Sequence, residues 1–116
     1  MSDDTSRMKQ LVQTRPAGTA AVSAILKPKR RKLVIKNITI CNTTGSSANY
    51  SLYLDRNGTT YTEVTALYFN AALAANTTAF IEYNNGLPFD PDAQGNFAVQ
   101  TSTGNALTFT IDGIEF

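Results

Sequence analysis

At 116 residues the chain is long enough for one domain with a buried core and too short for a two-domain enzyme. Apolar residues make up 42% of it and charged residues only 16%, so its surface is largely Thr, Ser, Asn, Gly and Ala, which suits sheets that meet protein as often as water. Ten Lys and Arg against nine Asp and Glu leave a net +1, and the absence of His excludes Ser-His-Asp and Cys-His catalysis.

In chain order, Met1 to Gln10 opens with acidic and polar residues, which argues against a signal peptide, and no apolar run is long enough to span a membrane. Through Lys36 there are nine bases against Asp3 and Asp4, 9 − 2 = +7; from Asn37 onward Arg56 stands against seven acids, 1 − 7 = −6. The two parts are electrically complementary, within one chain or between copies. The densest basic run, Lys27-Pro28-Lys29-Arg30-Arg31-Lys32, reads as a solvated or partner-facing patch. Nucleic-acid binding is disfavoured, because the acidic remainder repels phosphate and no aromatic interleaves the bases.

Arg15-Pro16-Ala17-Gly18 punctuates the next stretch, and the small, β-prone Thr19 to Leu26 reads as an extended arm or edge strand. Lys32 to Asn42, rich in Leu, Val, Ile and Thr, is the strongest strand and belongs near the middle of a sheet. Within it Cys41, the only cysteine, has neither a disulfide partner nor a zinc-ligand set and is expected as a buried small hydrophobe in a reducing cytoplasm. In Asn49 to Asp55, Tyr50, Leu52 and Leu54 alternate with Asn49, Ser51 and Tyr53, a strand with one buried face. Asn57-Gly58 signals a hairpin whose second strand starts near Thr59.

Thr65 to Leu73 carries both helix and strand signals and is assigned to strand because of Tyr68, Phe69 and the Asn76-Thr77-Thr78 sequel. Phe80 to Tyr83, Phe97 to Thr101 and Leu107 to Ile111 are further strands, the last with Leu107, Phe109 and Ile111 on one face. Short strands at intervals of roughly ten residues, with no long 3.6-period segment, predict an all-β single antiparallel β-sandwich of about seven or eight strands. Immunoglobulin-like and jelly-roll topologies fit equally, since periodicity does not reveal strand order. The expected organisation is an extended N-terminal arm over 1–28 and a β-sandwich domain over 29–116.

Candidate chemistry is sparse. No phosphate-binding or dinucleotide-binding glycine pattern occurs. Asp55, Glu63, Glu82, Asp90, Asp92, Asp112 and Glu115 offer carboxylates, most beside turn residues, and read as solvated loop and edge charges. Asp90-Pro91-Asp92-Ala93-Gln94-Gly95-Asn96 begins like a calcium loop, but Thr101 stands where the closing acid is required, so a turn is expected. The five tyrosines, Tyr50, Tyr53, Tyr61, Tyr68 and Tyr83, could form a sugar-stacking platform; rings covering the core with hydroxyls at its rim are the expected arrangement. No catalytic residue, metal or cofactor is expected.

Several segments resemble a family of short virion proteins of tailed bacteriophages: Leu11-Val12-Gln13-Thr14-Arg15-Pro16, Ile38 to Gly45, Tyr50 to Tyr61, Thr65 to Tyr68, Leu73 to Thr78, Gly95 to Thr103 and Asn105 to Gly113. Together they span nearly the whole chain beyond Met8, while Lys27 to Lys32 departs from the more neutral stretch expected there. The resemblance implies a non-enzymatic particle component, made in the bacterial host cytoplasm and located in the virion. A capsid decoration or cement subunit is the first expectation and a neck, tail or fibre subunit the alternative, with a carbohydrate-binding module as the reading of a different class.

The expected mechanism is docking of the arm on a neighbour. Ordering a segment costs about 1–2 kcal/mol per residue in backbone freedom, so the arm must gain strand pairing or apolar burial. Leu11, Val12, Val22, Ile25 and Leu26 are the expected apolar contacts and Lys27, Lys29, Arg30, Arg31 and Lys32 the charged ones. Other virion proteins are the expected partners, with a closed homo-oligomer, a trimer where capsid contacts are involved.

Overall fold

The computed structural model describes residues 8–23, 33–55, 59–89 and 97–115. Eight strands occur among them: β1 (Met8–Thr14), β2 (Val22–Ser23), β3 (Leu33–Asn42), β4 (Ala48–Leu54), β5 (Ala66–Leu73), β6 (Thr78–Phe89), β7 (Phe97–Thr101) and β8 (Leu107–Glu115). They form two four-stranded sheets, ordered β1-β8-β3-β6 and β2-β7-β4-β5. First pairs with last, second with seventh, third with sixth and fourth with fifth, all antiparallel. That nesting is a long hairpin rolled on itself, the jelly-roll order of a β-sandwich, and it differs from the immunoglobulin arrangement left open by periodicity.

The core follows from the alternation of apolar residues. Ile38 and Ile40 of β3, Tyr50 and Leu52 of β4, Phe97 and Val99 of β7, and Leu107, Phe109 and Ile111 of β8 are buried between the sheets. Each such side chain contributes about 1.5–3 kcal/mol by leaving water. A register shift between Ile35 and Asn37 lets Ile35 join the same core, so Lys36 is the extra residue of a bulge.

Four sequence-based expectations need correction. In β4 Ser51 and Tyr53 are as buried as Tyr50 and Leu52, because the outer face of this sheet is also covered. Asn70 donates its N–H to Ser51 Oγ at 2.9 Å, the Tyr53 ring lies 6.1 Å from that of Tyr61, and the Tyr53 hydroxyl donates to Gln100. The strand after Asn57-Gly58 starts at Ala66, not near Thr59, since residues 59–65 form a hydrogen-bonded connection instead. Cys41 is half-buried on the outer face of its sheet, where Thr78 donates its hydroxyl to Sγ at 3.6 Å.

The last correction concerns the arm. β1 pairs with β8 from Met8↔Ile114 to Thr14↔Phe109, and β2 pairs with β7 through Val22↔Val99, so both are strands of the sandwich. The segment between them is pinned as well. Pro16 is buried and its carbonyl accepts from Asn105 N–H at 2.8 Å, Arg15 Nη2 donates to Thr43 Oγ1 at 2.6 Å, and Gln100 Nε2 donates to Thr19 O at 3.0 Å. A Cβ at Gly104 would meet Ala17 O at 2.3 Å, so this turn needs glycine to approach the segment. A boundary at 28 therefore separates two strands from the sheets that hold them.

Candidate assembly surface

Between Glu63 and Glu82 the chain carries no charged residue, an 18-residue interval (64–81) in which a 16% charged composition would place about three. This interval builds β5, the β5–β6 turn and the start of β6. β5 is the edge of one sheet and β6 the edge of the other. Six large hydrophobic residues are exposed among the described residues, and five lie here: Val64 (88%), Leu67 (37%), Tyr68 (37%), Phe69 (49%) and Phe80 (61%). Their concentration in one uncharged segment along the β5 and β6 edges, rather than the exposure of any one, marks these edges as suited to contact with protein.

The local structure holds these side chains outward. Before β5, Thr65 Oγ1 donates to Thr60 O at 2.7 Å, Leu54 N–H to Thr65 O at 2.9 Å and Thr60 N–H to Asp55 Oδ2 at 3.0 Å, which leaves Val64 at the tip of a tied turn. Within β5, Asn70 adopts φ of 52° at a bulge, a left-handed conformation that asparagine tolerates better than most residues. After β5, Thr77 Oγ1 donates to Ala74 O at 2.6 Å, and Asn76, with φ of 56°, donates its N–H to Thr44 O at 3.1 Å. In β6 Ile81 enters the core, so its neighbour Phe80, opposite Thr39 of β3, faces outward.

Tyr68 closes the gap between the two edges. Its ring centroid is 6.0 Å from that of Tyr50 on β4. The phenols of Tyr50 and Tyr83 are held above the ordinary tyrosine value of 10.0, first by burial and second by the neighbouring Tyr68. A raised folded-state value means these groups add stability below pH about 10 that is lost as pH rises through their own ionisation. Tyr50 and Tyr83 should therefore titrate late by phenolate absorbance, and Tyr68→Phe should bring both down; a Tyr50 or Tyr83 that ionises at the ordinary value would contradict this arrangement.

The residues expected from sequence to bind a partner are not gathered here. Leu11 and Val12 are half-buried and pack against their own core, which consumes them within the molecule. Val22 is 38% exposed on β2, at the opposite edge of its sheet from β5. Ile25, Leu26, Lys27, Lys29, Arg30, Arg31 and Lys32 lie outside the described residues, as does the Asp90 to Asn96 loop. Arg15 and Lys36 end on neutral oxygens, the latter donating to Asn84 O at 2.8 Å.

Of the tyrosines, Tyr50 and Tyr53 are buried and Tyr61 and Tyr83 half-buried, leaving Tyr68 as the exposed ring rather than a row of rings for sugar stacking. No three His, Cys, Asp or Glu residues are grouped to hold a metal ion, and no helix is long and apolar enough to cross a membrane, among the described residues. Leu67, Phe69 and Phe80 were not singled out by strand periodicity, which treats an exposed aromatic on an edge like a buried one; the missing charge was the available signal. The chain matches no protein-family model and no curated protein.

Proposed function

We propose that this chain is a non-enzymatic structural subunit of a tailed-phage particle, a capsid decoration or cement protein that acts by docking on neighbouring virion protein. The observation that carries this reading is the uncharged, apolar edge formed by β5 and the start of β6. An exposed edge strand is ordinarily protected by Lys, Pro or a covering element, and β5 has neither Lys nor Pro, only register shifts at Asn70 and Leu67. Leaving several large apolar groups in water has no stabilising role in an isolated sandwich, whereas their burial in a contact does. The resemblance across strand and turn segments supplies the particle context.

Mass spectrometry of purified particles of the phage that encodes this chain tests the reading. The chain should be present at a stoichiometry that matches a lattice position of the head, and Phe69→Lys with Phe80→Lys should lower its incorporation at least tenfold while the purified variant keeps its β-sheet circular dichroism. Absence of the chain from particles would overturn the proposal.

A further inference from the structure

We infer that the occupant of the β5 edge is the β5 edge of a second copy, related by a two-fold axis. This rests on the preceding reading only in taking the edge to be a contact surface. Charge favours a second copy. A charged partner surface brought against residues 64–81 would lose its hydration with no opposite charge within the segment to receive it, the exposed Glu63 and Glu82 lying just beyond its two ends. The same uncharged patch on another copy meets no such loss, and a two-fold contact requires a surface that complements itself.

The extent of the edge suits a small interface. β5 is eight residues long, about 27 Å at ~3.4 Å per residue. Two sheets ~10 Å apart with their side chains make an edge roughly 20 Å high, so each copy offers on the order of 500 Å². Counted over both copies that is roughly 1,000 Å², in the weak, transient class of interfaces, so a concentration-dependent association is expected instead of an obligate dimer.

The bulge fixes where the contact centres. Asn70 turns its N–H inward to Ser51 Oγ, so a continuous ladder cannot run the length of β5. The register with β4 shifts again between Tyr68 and Ala66, where Leu67 is the extra residue, and an axis at Leu67 sets the Leu67 of one copy beside the Leu67 of the other. Phe69 then flanks the pair on each side, and Val64 lies just before it in the chain.

Sedimentation velocity of the full chain across a micromolar concentration series is the test. Wild type should pass from monomer to dimer, and Leu67→Lys should remain monomeric with unchanged circular dichroism and thermal midpoint. Leu67→Glu should do the same, and mixing these two variants should restore a dimer, because the axis brings the opposite charges together. Val22→Lys, at the far edge, should dimerise like wild type. A wild type monomeric throughout, a Leu67→Lys chain that still dimerises, a mixture that stays monomeric, or loss of dimer in Val22→Lys would each overturn the inference. A monomeric chain still found in particles would fail this inference and leave the structural-subunit reading standing; a dimer absent from particles would do the reverse.

Discussion

Replacing Asn42 by leucine is expected to destabilise the sandwich by about 3 kcal/mol despite similar volume, because the amide is the centre of a buried polar junction. Asn42 is 1% exposed at the end of β3. Its Nδ2 donates to Ser46 O at 2.9 Å, Leu73 O at 3.1 Å and Ala74 O at 3.2 Å, while Oδ1 accepts from Thr44 N–H at 2.9 Å and the Thr44 hydroxyl at 2.7 Å. β3 and β5 belong to different sheets, so one side chain ties the two layers and fixes the turn that follows each. Leucine would take the amide away from the buried Leu73 O and from the Thr44 N–H, while Ser46 O keeps the Thr44 hydroxyl and Ala74 O keeps the Thr77 hydroxyl.

Urea denaturation checks this: the midpoint should fall with the slope unchanged. Asn42→Asp gives a sharper test. It keeps an acceptor for Thr44 but sets an oxygen against three carbonyls, which raises the folded-state ionisation value of the new carboxyl. Such a group is better accommodated when protonated, so the aspartate variant should gain stability as pH falls through that value. An Asn42→Leu chain as stable as wild type would refute the role given to this junction.

Gly113→Ala should be at least as damaging, costing about 3 kcal/mol or more. A Cβ at Gly113 would sit 2.0 Å from Val34 O and 2.9 Å from Leu11 Cδ1. The first of these is backbone of the neighbouring strand, held in register by Val34↔Ile114 and Ile35↔Gly113, and cannot retreat without breaking the β3–β8 ladder. A thermal midpoint lower by roughly 10–20 °C is expected by calorimetry. Gly45→Ala is the control, since nothing lies within 4 Å of its Cβ position. Equal midpoints for the two variants would show that β8 yields more easily than its place between β1 and β3 implies.

Strands whose apolar pattern answers to a single buried face were readable in advance. Phe97–Thr101 is a strand with those bounds, and Leu107, Phe109 and Ile111 do share the buried face. The longer reach of β6, to Phe89, was hidden because Gly86 and Pro88 look like breakers; Gly86 takes φ of 78° within an irregular part of an edge strand, where both residues are tolerated. Pro16 and Gly18 misled in the opposite direction, since punctuation in a sequence does not distinguish a free arm from a segment bound through its backbone, as Pro16 O is. Strand order escaped altogether, because pairing across a hundred residues leaves no local periodicity. The uncharged edge was legible only as a silence, the run from Val64 to Ile81 without a charge.

The nested pairing also sets the timing of folding. β4·β5 closes across a short connection, but β1·β8 joins Met8 to Ile114, a separation of 114 − 8 = 106 residues, and β8 lies between β1 and β3. The strand made first therefore waits for the strand made last, and the sheet that holds Ile38 and Ile40 is incomplete until β8 inserts. Such distant pairing predicts refolding on the millisecond-to-second scale typical of high-contact-order β-proteins. During that interval the uncharged β5 edge is already displayed while the core is still open, so crowded synthesis favours premature association, and slower production or lower temperature should raise the yield of correctly folded protein.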